Sequence, residues 1–164
     1  MIKYERVVFA MNFFDRDALA RTETRSEIVL IRQWTQFRVA LKDLVDSYNR
    51  NPKGKLFPAT LKAENENKYF VECPQGKKSG DPLTIVMVTA WAAAAPEVYT
   101  IQCAVEKWTK NPAGRERERF EEFPFELERE GDSLMYKGKH YTAEDAATRL
   151  LVAALMPEKL QELE

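Results

Sequence analysis

The feature that most constrains this chain is a run of thirteen residues, 83–95, that contains no charged side chain. In an extended conformation both of its alternating sets are apolar. One set holds Leu83, Ile85, Met87 and Trp91, and the other holds Val86, Val88 and Ala90. A strand that is apolar on both faces must be covered on both faces, or it becomes an aggregation site. The run is too short to span a bilayer, so it predicts a core strand.

A second alternating segment, 97–108, follows the turn signal at Pro96. We expect residues 92–95 to lead into that turn and residues 83–108 to form a long antiparallel hairpin at the centre of the sheet. More strands are predicted on both sides of it, at 56–63, 68–73, 123–127, 133–136 and 139–141. Polar segments with turn signals separate them, and the loops at 74–82 and 110–119 are the longest.

Two helices frame these strands. Residues 26–49 repeat apolar side chains at helical spacing and predict one apolar face: Ile28, Ile31, Trp34, Leu41, Leu44, Val45 and Tyr48. Thr24 and Glu27 match a capping box at its start, although no breaker prevents an earlier start near Asp15. Pro52 and Gly54 predict its end, with glycine providing a left-handed exit. A closing helix begins after Thr142, an N-cap residue, and ends at Pro157.

The predicted fold class is therefore α+β: an antiparallel β-meander of about five to seven strands, with a long N-terminal helix and a C-terminal helix packed on it. The 164 residues suggest one domain, 1–164. Residues 1–14 fit either a strand or a helix, with the strand slightly favoured. Residues 158–164 are a polar tail, which is expected to fray or to form another short turn. Two helices cannot easily cover both sheet faces, so either the helices lie on opposite faces, the sheet curls, or a second subunit covers what remains.

Several classes of function find no support in the sequence. The net charge of −1 lacks the basic excess of a dedicated nucleic-acid binder. Phosphate-binding glycine motifs are missing, and the loop at 76–80 does not lead into a helix. The single histidine, His140, excludes multi-histidine metal sites and is expected in a turn. Cys73 and Cys103 predict buried reduced thiols. We therefore predict no catalytic residue, metal or cofactor.

Two groups of residues remain as candidate sites. A pocket between the sheet and the long helix is predicted from a small-residue run beside aromatic side chains, Trp34, Trp91, Ala93 and Tyr99. A partner or nucleic-acid surface is predicted from arginines that share one face of an extended chain near an aromatic ring and a lysine. Its members are Trp108, Lys110, Arg115, Arg117 and Arg119. Interleaved glutamates, however, nearly cancel its charge.

The leading functional hypothesis is a non-enzymatic, cytoplasmic protein-interaction or homodimeric module without membrane contact. Its helix–meander–helix order resembles that of small secretion chaperones and immunity proteins, without a shared motif, so the analogy concerns the fold alone. The alternative is a small-molecule-binding domain with a pocket between sheet and helix, with or without catalysis. A third hypothesis is weak nucleic-acid contact through the arginine segment.

Overall fold

The structure is a computed structural model that describes residues 18–75, 83–95, 98–111, 114–128 and 131–163. The predictions for residues 1–14 and for the loop at 76–80 fall outside the described residues. The helices are α1 (Ala18–Arg50), α2 (Pro52–Leu56) and α3 (Ala143–Leu155), and a 3₁₀ helix spans Pro157–Leu163. The strands are β1 (Thr60–Asn65), β2 (Lys68–Pro74), β3 (Leu83–Ala95), β4 (Val98–Asn111), β5 (Gly114–Leu127), β6 (Leu134–Tyr136) and β7 (Lys139–Tyr141).

The seven strands form one antiparallel sheet in which each strand pairs with its sequence neighbours, in the order β1 to β7. This confirms the predicted α+β meander with a long N-terminal helix and a closing helix. The central hairpin is confirmed too, but it is longer than expected. Residues 92–95 continue β3 rather than turn, because each of them has a register partner in β4.

The predicted polar loop at 110–119 is also wrong. The end of β4 and the start of β5 pair there as a hairpin, which we call the arm: residues 107–111 and 114–120. Within the hairpin Arg117 lies opposite Trp108 and forms a diagonal ion pair with Glu106 at 3.1 Å, whereas Lys110 and Arg115 lie directly opposite each other with like charges.

The predicted apolar face of the long helix is confirmed from Trp34 to Tyr48, where Leu41 and Val45 are also buried, and is wrong at its N-terminal end. Ile28 and Ile31 are exposed, at 59% and 57%, whereas the buried stripe runs through Leu30, Trp34, Phe37, Leu41, Val45 and Tyr48. The buried set follows the i, i+3, i+4 spacing from the C-terminal end, and Ile31 falls to one side of it. The capping box at Thr24 and Glu27 is wrong as well, because α1 already begins at Ala18.

The end of α1 is a break and restart rather than a left-handed exit. Asn51 caps the short helix α2, and its side-chain oxygen accepts a hydrogen bond from the Gly54 backbone nitrogen at 2.8 Å. Gly54 is buried, and a Cβ added there would lie 1.8 Å from the carbonyl oxygen of Tyr48. This glycine is therefore required for close approach of two backbones and not for a positive φ.

Both long helices pack on the same face of the sheet. That inner face contributes its alternating apolar side chains to one core shared with α1 and α3. The sheet residues of this core are Val71, Cys73, Val86, Val88, Ala90, Ile101, Cys103, Val105, Phe123 and Phe125. Thr142 caps α3 as predicted, accepting a hydrogen bond from the Asp145 nitrogen at 3.0 Å. The consequence for function is that, among the described residues, no helix lies on the other face of the sheet.

Candidate interaction surface

The outer face of the sheet is the side that points away from α1 and α3, and among the described residues no helix packs on it. Its large side chains are mostly half-buried by their own neighbours, and the ring of Phe120 is 45% exposed. The apolar members are Phe70, Ile85, Met87, Trp91, Ala93, Ala104, Trp108, Phe120 and Pro124. An apolar area of this kind on a folded protein is a typical site of macromolecular contact.

The charges on the outer face are distributed unevenly along β5. At the end within the arm the face carries Arg115 and Arg117, and at the other end it carries Glu122 and Glu126. Phe120 lies between the two pairs. In the described part of the chain, neither Glu122 nor Glu126 forms an ion pair. One strand thus presents a cationic end, an aromatic centre and an acidic end on the same face.

The arm forms the cationic end of this surface. The guanidinium groups of Arg115 and Arg117 each lie 5.8 Å from the Trp108 ring centroid, and Arg117 lies 4.7 Å from the ring centroid of Phe120. These contacts hold cations over aromatic rings. Lys110 is paired with Arg115 across the hairpin and shares their face. Four of the five residues predicted for a partner or nucleic-acid surface therefore come together.

Arg119 is the exception. The register of β4 and β5 moves from Lys107–Arg119 to Trp108–Arg117, so Glu118 is the additional residue of a β-bulge. A one-residue shift reverses the face of a side chain. Arg119 therefore points to the side of Lys107, where it forms an ion pair with Glu121. The prediction that all three arginines share one face is wrong for Arg119.

The residues predicted to line a pocket are separated by the sheet. Trp34 is buried on the inner side, stacked 5.7 Å from Phe37 and donating its indole N–H to the Glu66 carbonyl at 2.9 Å. Tyr99 also packs against the inner core. Trp91 and Ala93 lie on the outer face, where Lys68 sits 5.9 Å from the Trp91 ring centroid. The four side chains do not line one pocket.

His140 lies in an exposed hydrogen-bonded cluster with Ser133 and Glu128. The hydroxyl of Ser133 lies 2.9 Å from Nδ1 of His140 and 3.0 Å from Oε2 of Glu128, and that oxygen is 3.8 Å from the same Nδ1. A nucleophilic triad needs the serine and the carboxylate on different ring nitrogens. Here both contact Nδ1, so the cluster stabilises a turn and does not activate the serine.

The two cysteines are free and buried, as the sequence predicts. Cys73 and Cys103 lie two strands apart and four residues apart in register, or about 10 Å and about 14 Å in the two directions, too far for a disulfide. Burial raises the pKa of both thiols, and it raises the pKa of the Tyr48 hydroxyl 3.7 Å from the Cys73 sulfur. None of them has the depressed pKa of a reactive thiol.

Other kinds of site find little support in the described ranges. No group of three His, Cys, Asp or Glu side chains there is arranged to hold a metal ion. None of the described helices is both long and apolar enough to cross a membrane.

A second exposed apolar stripe, smaller than the outer face of the sheet, lies on α1 at Ile28, Ile31 and Val39.

Comparisons with known proteins found no match for this chain among family models, curated proteins or solved structures. The outer face of the sheet is therefore the main guide to the function of this chain.

Proposed function

We propose that this protein is a non-enzymatic interaction module that binds a protein partner on the outer face of its sheet. The observation that carries the proposal is the placement of both long helices on the inner face, with two Trp, two Phe, an Ile and a Met left on the outer face. Trp, Phe, Met and Arg are the residues enriched in protein interfaces, where a few of them supply most of the binding energy.

The composition of the face also argues for a macromolecular partner rather than a small ligand. Ligand pockets are concave and enclose most of their ligand, whereas this surface is one side of a twisted sheet. Charged residues lie toward both ends of the face, Lys110 and Arg117 in the arm and Glu122 and Glu126 at the other end, while Glu106 near the centre is paired with Arg117. An apolar centre with a polar rim is the anatomy of a protein interface.

Two free thiols suit a reducing compartment, so we place the protein in the cytoplasm.

A face-directed substitution tests this proposal. The tagged chain, expressed in its own cells at native abundance, is expected in a complex heavier than the 19.0 kDa monomer. Replacing Ile85 and Met87 with lysine should release the monomer, because two charges would be buried in the interface. Val39→Lys is the matched control, since Val39 is 58% exposed on α1. Native gel mobility and size-exclusion elution report the mass.

Circular dichroism of the purified variants establishes that they remain folded. A complex that survives the lysines at Ile85 and Met87, or one that Val39→Lys disrupts equally, would place the binding surface elsewhere and contradict the proposal.

A further inference from the structure

We propose that the partner on the outer face is a second copy of this chain, packed face to face about a two-fold axis that crosses the strands. In this arrangement the cationic end of β5 in each copy lies over the acidic end of β5 in the other. This inference rests on the proposed function, because it names the occupant of the same surface.

The charge order of β5 is the first support. A two-fold interface brings the same patch together twice, so the patch must be complementary to itself. Along the outer face of β5 the order is Arg115, Arg117, Phe120, Glu122 and Glu126. Turning one copy end over end about the row of Phe120 places Arg117 over Glu122 at both ends and the two Phe120 rings near the centre. Arg115 then lies between Glu122 and Glu126 of the other copy. The acidic end forms no ion pair within the described residues, so it is available to a partner.

The size of side chains along β4 is the second support. On the outer face Trp108 lies toward the arm, and Ala104 lies four residues away on the other side of Glu106. An axis near the row of Met87 and Glu106 therefore brings the large Trp108 of one copy over the small Ala104 of the other. Interdigitation of large and small side chains is how two sheets pack face to face.

The available area is the third support. Four strands, β2 to β5, about 4.8 Å apart and about eight residues long, present a face of about 19 by 27 Å, or about 500 Å² in projection. The accessible surface of a corrugated face exceeds its projection, and a standard interface takes roughly 800 Å² from each partner. A second sheet of the same size covers this face completely, which two helices on the opposite side cannot do.

Charge reversal tests the arrangement with purified full-length protein in sedimentation-velocity ultracentrifugation. One variant carries Arg115→Glu and Arg117→Glu, and the second carries Glu122→Lys and Glu126→Lys. Each variant alone should dimerise on the order of tenfold to a hundredfold more weakly than the unmodified chain, because attractive contacts become repulsive at both ends. An equimolar mixture should restore dimerisation, since each acidic end then meets a basic end again. One chain with all four reversals should dimerise as well.

The outcomes separate this inference from the proposed function. An unmodified chain that stays monomeric at hundreds of micromolar would overturn the homodimer, whereas the proposed function would stand if the cellular complex still depended on Met87. If the equimolar mixture fails to restore dimerisation, the end-over-end arrangement is overturned. A two-fold axis along the strands would place β5 of one copy over β2 of the other, so the two reversed ends of β5 would not meet. A misfolded arm would also fail to be rescued, so thermal unfolding of each variant at low concentration serves as the folding control.

Discussion

The two faces of β3 should respond differently to the same kind of substitution. Val88 is 1% exposed on the inner face, whereas its neighbour Met87 is half-buried on the outer face. Val88→Ala removes two methyl groups from the core, which costs about 1.6 kcal/mol in transfer free energy. The cavity of about 50 Å³ adds about 1 kcal/mol at ~24 cal/mol per Å³. The expected loss in the free energy of unfolding is therefore about 2–3 kcal/mol.

Met87→Ala removes a longer side chain but should cost the monomer less than about 1 kcal/mol, because that side chain is already partly exposed to water. Met87→Ala should instead weaken the association of the chain with its partner. Urea denaturation followed by tryptophan fluorescence, at a concentration low enough to hold the monomer, measures both variants. In thermal unfolding, 1 kcal/mol lost from the free energy of unfolding lowers Tm by about 2–4 °C in a chain of this size. Val88→Ala should therefore lower Tm by roughly 5–10 °C, and Met87→Ala by no more than a few degrees.

The refuting result is a monomer that Met87→Ala destabilises as strongly as Val88→Ala. Such a loss would mean that the outer face is covered within the single chain, and the docking surface would no longer be available to a partner. Equal and small losses for both variants would instead contradict the assignment of Val88 to the core. Concentration dependence separates the two faces further, because association makes the Tm of the unmodified chain rise with protein concentration, and Met87→Ala should weaken that rise.

Two further predictions concern the core beneath the sheet. Gly54→Ala should lower the free energy of unfolding by about 1–3 kcal/mol, because the clash with the Tyr48 carbonyl exceeds the gain of about 1 kcal/mol from helix propensity. Lys55→Ala, at an exposed position, is the control and should leave the free energy of unfolding nearly unchanged. Chemical denaturation measures both variants. Burial raises the pKa of Cys73, Cys103 and Tyr48, so stability should be complete below pH ~8.5 and should decline as pH rises above that value. In a series of urea titrations at different pH values, Cys103→Ala should reduce this decline. A free energy of unfolding that stays flat or rises from pH 8 to 10 would contradict the predicted direction of the pH dependence.

The alternation of side chains was sufficient to predict most of the sheet, and its failures have physical causes. The sequence predicts the arm as a loop because Arg and Glu alternate there without an apolar face. In the structure the segment is a strand that pairs with β4 and forms contacts across the hairpin, such as the ion pair of Arg117 with Glu106. The alanines at 92–95 carry little strand signal of their own. They are held extended by register with the next strand, a tertiary effect that local propensity does not contain.

The predicted pocket failed because of register. Trp91 and Tyr99 lie on neighbouring strands of one hairpin, and the alternation of each strand does not show which face of β3 continues into which face of β4. The hairpin pairs Ala94 with Tyr99, however, so odd positions of β3 share a face with even positions of β4. Trp91 therefore lies outside and Tyr99 inside. The same register places Trp91, Ala104 and Trp108 on one side, and it converts a two-faced apolar strand into an inner core and an outer surface.

The edges of this sheet support a contact through its face rather than through its edge. Strand β5 pairs with β6 only at Glu126 and Leu127, so most of its outer edge has no partner strand in the described part of the chain. That edge carries the devices that prevent strand addition: alternating charges in the arm, the bulge at Glu118, and Pro124, which has no amide proton to donate. Protection of the edge limits indiscriminate pairing. The outer face is then the larger apolar area without such protection, and specificity there depends on side-chain size and charge order.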